Sequence, residues 1–101
     1  MLEVFPHKEE IISAILNTIP NIDKIFLFGS RARDDNRSPH SDIDIGVIAT
    51  KKLSLLRLAK IEETLDRIQT LHTIELVDFT GREDAFTKEA LKDIVILYEK
   101  R

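Results

Sequence analysis

The chain has 101 residues, with 15 Lys+Arg against 18 Asp+Glu for a formal net charge of −3, and is 43% apolar and 33% charged. These figures suit one soluble globular domain over residues 1–101. The acidic balance and the 6% aromatic content argue against a nucleic-acid surface and a polybasic membrane anchor.

There is no cysteine, which excludes a disulfide framework, a thiolate nucleophile and a cysteine-ligated metal. No apolar run reaches the roughly 18 residues of a membrane span. The opening MLEVFPHKEE lacks the layout of a secretory signal, so a cytoplasmic protein is expected.

In chain order, Ile11, Ile12, Ile15, Leu16 and Ile19 recur at helical spacing between Pro6 and Pro20, predicting a first helix. Ile22–Phe28 reads as a short strand buried at its end on both faces, stopped by Gly29. Residues 30–41 are polar and predict a short helical turn and a loop. Asp42–Thr50 returns to strand character. Leu55, Leu58, Ile61, Leu65 and Ile68, widened by Leu56 and Ala59, predict a second helix. Thr73–Phe79 predicts a third strand. Thr80-Gly81-Arg82-Glu83 has the form of a capping box opening a helix to about Asp93. Ile94–Tyr98 fits a last helical turn or a short edge strand, the latter preferred. The order predicts an α/β (α+β) fold, one small mixed sheet backed by helices.

Chemistry concentrates in FGSRARDDNRSPHSDIDI, residues 28–45. Gly29-Ser30 after a strand allows a tight bend and close ligand approach, and a helix opening there would aim free N–H groups at a phosphate. The same pair is most often an ordinary turn, and no Gly-Lys-Ser/Thr follows to make a Walker loop. Asp42 and Asp44, two apart in a strand, face one way with Cα atoms about 6.6 Å apart. Such a pair can share divalent ions of the kind that drive phosphoryl transfer; the plainer reading is a solvated sheet face. An EF-hand is excluded, since Gly46 and Val47 stand where that loop needs Asp/Asn and then Gly. A third carboxylate must come from Glu75 or Asp78, which an odd spacing sends to opposite faces of a regular strand. Burial of Glu75 between Ile74 and Leu76 would be costly without compensation, which favours it as the functional residue. Asp78 reads as the start of a turn.

Arg31, Arg33 and Arg37 offer planar phosphate contacts, against local pairing or solvation as the alternative. His7, His40 and His72 have no metal-ligand spacing. Lys51-Lys52 reads as a solvated turn, and Phe26, Phe28 and Phe79 as core.

Gly29-Ser30-Arg31-Ala32-Arg33, eight residues, Asp42-Ile43-Asp44, and later Ile74-Glu75-Leu76-Val77-Asp78 together resemble the DNA polymerase beta-type nucleotidyltransferase superfamily. The resemblance is to its minimal nucleotidyltransferases, which pair with HEPN-type helical proteins. It spans Ile22–Tyr98. It implies the nucleotidyltransferase fold, with Asp42, Asp44 and Glu75 as catalytic residues holding two Mg²⁺ ions. It further implies Gly29, Ser30, Arg31, Arg33 and Ser41 as nucleotide-binding residues. Glu75 stands where the family often has Asp, one methylene shorter.

The activity implied is transfer of a nucleoside monophosphate, AMP from ATP, to a hydroxyl, with a tyrosine of a HEPN-type toxin as acceptor and an antitoxin role. Two alternatives stand beside it. One is a small-molecule (antibiotic) nucleotidyltransferase needing a helical substrate-binding subunit. The other is a non-catalytic nucleotide- or partner-binding subunit, against which three retained carboxylates argue. A partner surface is expected on the first or last helix.

Overall fold

The computed structural model describes residues 7–29, 42–68 and 73–100. The elements are α1 (Lys8–Thr18), β1 (Ile22–Phe28), β2 (Ile43–Ala49), α2 (Leu55–Asp66), β3 (Ile74–Asp78), α3 (Ala85–Ala90) and β4 (Val95–Glu99). The strands form one mixed sheet of order β3-β2-β1-β4. β1 pairs antiparallel with β2 and β4, while β2 and β3 run parallel and are joined through α2, as a parallel pair requires.

The period of two along each strand divides the side chains between two layers. Ile25 and Leu27 of β1, Ile43, Ile45, Val47 and Ala49 of β2, and Leu76 of β3 face α1 and α2, where they pack with Ile11, Ile15, Ile61 and Leu65. Each fully buried Ile, Leu or Val among them contributes about 1.5–3 kcal/mol. The opposite face carries a smaller aromatic core of Phe26, Phe28 and Phe79, flanked by Ala90 and Ile94. Gly46 lies beneath it, and a Cβ there would run into the Phe26 ring. Burial of β1 on both faces at its end, and the core positions of Phe26, Phe28 and Phe79, follow the sequence pattern.

Two local expectations are corrected. The capping box at Thr80 does not form: the Thr80 hydroxyl donates to Asp78 Oδ1 (2.6 Å) and accepts from the Ala49 N–H (2.9 Å). The helix instead starts four residues later. Its cap is Asp84, whose Oδ1 accepts the Thr87 N–H at 2.7 Å, and it ends at Ala90 rather than near Asp93. Ile94–Tyr98 is mostly strand, as preferred: β4 closes the β1 side of the sheet. Among the described residues the most exposed leucines, Leu55 and Leu56 at 85% and 78%, open α2 and not the first or last helix. The predicted turn and loop over residues 30–41 lie outside the described residues. Among the described residues no helix is long and apolar enough to cross a membrane.

Candidate active site

The hydrophobic face of β2 decides where its carboxylates go. With Ile43, Ile45, Val47 and Ala49 all buried against the helices, Asp42 and Asp44 are forced onto the other face. A one-residue slip would bury both acids and expose four apolar side chains. In the parallel pairing Asp44 stands opposite Glu75, and Val47 opposite Asp78. Glu75 therefore joins the face of Asp42 and Asp44. Each of the three offers an oxygen within 4.8 Å of the others.

The odd spacing within β3 sends Asp78 elsewhere. Nearly buried at the far end of the strand, its Oδ2 accepts the Leu53 N–H (2.8 Å), and its Oδ1 accepts the Thr80 N–H (3.0 Å) and hydroxyl. It ties β3 to the segment entering α2. The start-of-turn reading understated it, because a carboxylate fixing three donors is a structural clamp.

Glu75 is exposed, which corrects the expectation of a buried, costly carboxylate. β3 is an edge of the sheet, and on this face its side chains lie outside the helix-packed core, so Glu75 keeps its water. The signal that selected it, burial, was wrong; the parity of its spacing was right. Asp44, half-buried on the inner strand, carries the strain of the cluster. Burial first, then the charges of Glu75 and Asp42, push its carboxyl above the usual carboxylate range. A cation between the three would relieve the repulsion from Glu75 and Asp42 but not the burial.

Gly29 closes the site from β1. Its φ is +76°, and a Cβ built on it would stand 2.5 Å from Asp44 Oδ2. The main chain thus approaches the carboxylate as no side-chain-bearing residue could. Ser30, Arg31, Arg33, Arg37, His40 and Ser41 lie outside the described residues, as does His72. Alongside Gly29 and Asp44 runs a cleft of about 360 Å³ walled by Phe28 and Phe86 and rimmed by Glu89 and Asp93. Sequence reasoning missed Phe86, Glu89 and Asp93, since only the return of α3 across the sheet brings them to Asp44.

A family model for Polymerase beta, Nucleotidyltransferase, matches residues 9–101. The chain belongs to that family. A comparison with curated proteins finds no match. Among solved structures this family member is similar to a mutant of the MntA–HpeT toxin–antitoxin pair (TM-score 0.76, 23% identity, 98% of this chain and 76% of that chain). It is also similar to a toxin–antitoxin with AMP-PNP (TM-score 0.71, 21% identity, 93% and 74%). A third is a tri-AMPylated Shewanella oneidensis HEPN toxin in complex with MNT antitoxin (TM-score 0.65, 23% identity, 93% and 71%). At these identities the likeness is one of fold, and it agrees with the mixed sheet and helices described above.

Proposed function

We propose that this nucleotidyltransferase-family protein moves AMP from ATP to a hydroxyl acceptor, a tyrosine of a HEPN-type helical partner, and so acts as the antitoxin of a toxin–antitoxin pair. One observation carries the reading: Asp42, Asp44 and Glu75 gather within 4.8 Å beside the close-approaching main chain of Gly29. Two relatives of the same fold support the substrate and acceptor, one holding AMP-PNP and one an AMPylated HEPN toxin with its antitoxin.

An all-carboxylate oxygen set suits a hard divalent cation, and the Asp44 carboxyl is raised by its burial first and then by the charges of Glu75 and Asp42, the last two of which a cation would offset. Asp42, Asp44 and Glu75 would hold two Mg²⁺ ions, which supply charge neutralisation at the phosphates and acidify the acceptor hydroxyl. Gly29 lets the β- and γ-phosphates lie against the main chain. Ser30, Arg31, Arg33 and Ser41 are assigned to the triphosphate by resemblance. Glu75, open to solvent on the edge strand, takes the proton of the acceptor hydroxyl as its oxygen attacks the α-phosphorus. The bond from that phosphorus to the bridging oxygen breaks and pyrophosphate leaves.

The test is to incubate the full chain with ATP, Mg²⁺ and its helical partner and to weigh both proteins by intact mass spectrometry. A nucleotidyl adduct on the partner is expected, lost in Asp42→Ala and in Asp44→Ala. Mg²⁺-dependent nucleotide binding with no adduct on any acceptor would overturn the transferase reading and leave a binding subunit.

A further inference from the structure

From Ile45 to Ile61 the sequence holds four cations, Lys51, Lys52, Arg57 and Lys60, and no acid, in a chain whose net charge is −3. Leu55 and Leu56 stand among them. Helical spacing puts Leu55 in the same stripe as Leu58, Ile61 and Leu65, yet the first turn of α2 leaves it and Leu56 in solvent. That turn is held without them. Ser54 caps it, its Oγ accepting the Arg57 N–H at 3.1 Å, and Arg57 Nη1 donates to the Thr18 carbonyl at the end of α1 (2.6 Å). We propose that this surface docks the protein that accepts the nucleotide, and that it takes from that partner an acidic segment bearing aliphatic side chains. The inference rests on the proposed function for the partner's role as acceptor.

Charge is the first argument. Two adjoining cavities share Ser54 and Arg57 as a common wall, one of about 330 Å³ reaching Leu56 and Lys60, the other of about 220 Å³ reaching Lys51 and Lys52. No carboxylate lines either of them. Asp78, which bonds to this segment, is nearly buried and accepts the Leu53 N–H. Glu63, farther along α2, pairs with Arg67 (3.6 Å). A positive surface of this kind favours an acidic partner and steers its approach. It also opposes a symmetric dimer, which would set the patch against itself, cation against cation.

The leucines choose among anionic partners. A nucleic acid or polyphosphate gains little from two solvated aliphatic side chains, and no aromatic residue lies between Ile45 and Ile61 for a base to stack on. Apolar anchors flanked by charge are the anatomy of a protein interface. An acidic amphipathic segment covers the leucines and meets the cations at once.

Position is the third argument. Asp44 lies near the start of β2 and Lys51 follows its end, so strand rise separates them by roughly 20 Å. A partner held at this end of the sheet leaves the triad open to its hydroxyl.

Two paired variants of exposed residues test the surface, Leu55→Ser with Leu56→Ser and Lys51→Glu with Lys52→Glu, using the full chain and the full-length acceptor protein. Each should weaken the complex about tenfold or more by calorimetry and raise the partner's KM by a similar factor. The kcat at saturating partner and the Mg²⁺-dependent binding of an ATP analogue should stay at wild-type values. Charge reversal should slow association and flatten its salt dependence, while the leucine variant should speed dissociation. Carbodiimide, which joins amines to carboxylates without a spacer, should couple Lys51, Lys52 or Lys60 to Asp or Glu of the partner.

Wild-type affinity and KM in both variants overturn the docking surface while the transferase reading stands. So does self-association in sedimentation velocity that either variant abolishes, which gives the surface to a second copy. Release of either variant from phosphatidylserine–phosphatidylcholine vesicles that hold the wild type gives it to a membrane and overturns the proposal as well. A complex that forms through these residues with no adduct on the partner overturns the transferase reading and leaves the docking surface in place. Absence of both complex and adduct overturns both.

Discussion

Two glycines in the left-handed region separate backbone strain from site geometry. Gly29 has φ +76° and its added Cβ would stand 2.5 Å from Asp44 Oδ2; Gly81 has φ +70° with nothing within 4 Å. Alanine at either position places an L side chain in left-handed backbone, at about 1–2 kcal/mol. For a chain of this length that lowers Tm by roughly 4–15 °C. Gly29→Ala does one thing more. Ordinary contact begins near 3.4 Å, so the Asp44 carboxylate must give way by about 1 Å, and a displacement of that size at a reacting centre costs on the order of a hundredfold in rate. Thermal melts and initial rates of adduct formation by intact mass spectrometry measure the two effects separately. Similar Tm losses are expected in both variants, with a large loss of rate in Gly29→Ala alone. A Gly29→Ala protein that transfers at the wild-type rate, or a Gly81→Ala protein that slows in parallel, refutes the claim that Gly29 is there for Asp44.

The raised Asp44 carboxyl has a definite sign. The stability its protonation supplies is complete below the ordinary carboxylate pKa and is lost as pH rises through the raised folded value. Asp44→Asn should therefore raise the Tm of the metal-free chain at neutral pH, lose that advantage in acid, and abolish transfer; equal melts for the two proteins at neutral pH would contradict the account. Asp78→Ala leaves the Leu53 and Thr80 donors without their acceptor and should cost about 3 kcal/mol in urea unfolding, with Mg²⁺-dependent nucleotide binding retained. Asp84, exposed, is held below the usual carboxylate range by the Thr87 hydrogen bonds first and Arg82 after them. Its contribution is present above the ordinary pKa and lost as pH falls through the lowered one. The gap in Tm between wild type and Asp84→Ala should accordingly close on acidification. Gly46→Ala pushes a methyl into the Phe26 ring; this overpacking should cost about 1–3 kcal/mol, read as a lower urea midpoint.

The sequence by itself determined the strands, the first two helices and the faces of the acids. Alternation in Ile43–Ala49 fixes Asp42 and Asp44 to one side whatever the sheet order, and the odd spacing of Glu75 and Asp78 splits them between faces in any regular strand. These are local periodicities, and local physics suffices for them. The tertiary structure decided the rest. Only the parallel register of β2 on β3 sets Glu75 opposite Asp44, and only the edge position of β3 leaves Glu75 solvated where its apolar neighbours suggested burial. Asp78 and Thr80 likewise take partners about 25 and 31 residues away, which is why Asp78 is more than a turn residue and why the capping box fails. The hydroxyl that would have capped the helix is better used bridging strands, and Asp84 caps in its place. The cleft beside Asp44 belongs wholly to this second class. Phe28 and Phe86 are far apart in sequence, and nothing in the spacing of either shows that they meet until α3 lies across the sheet.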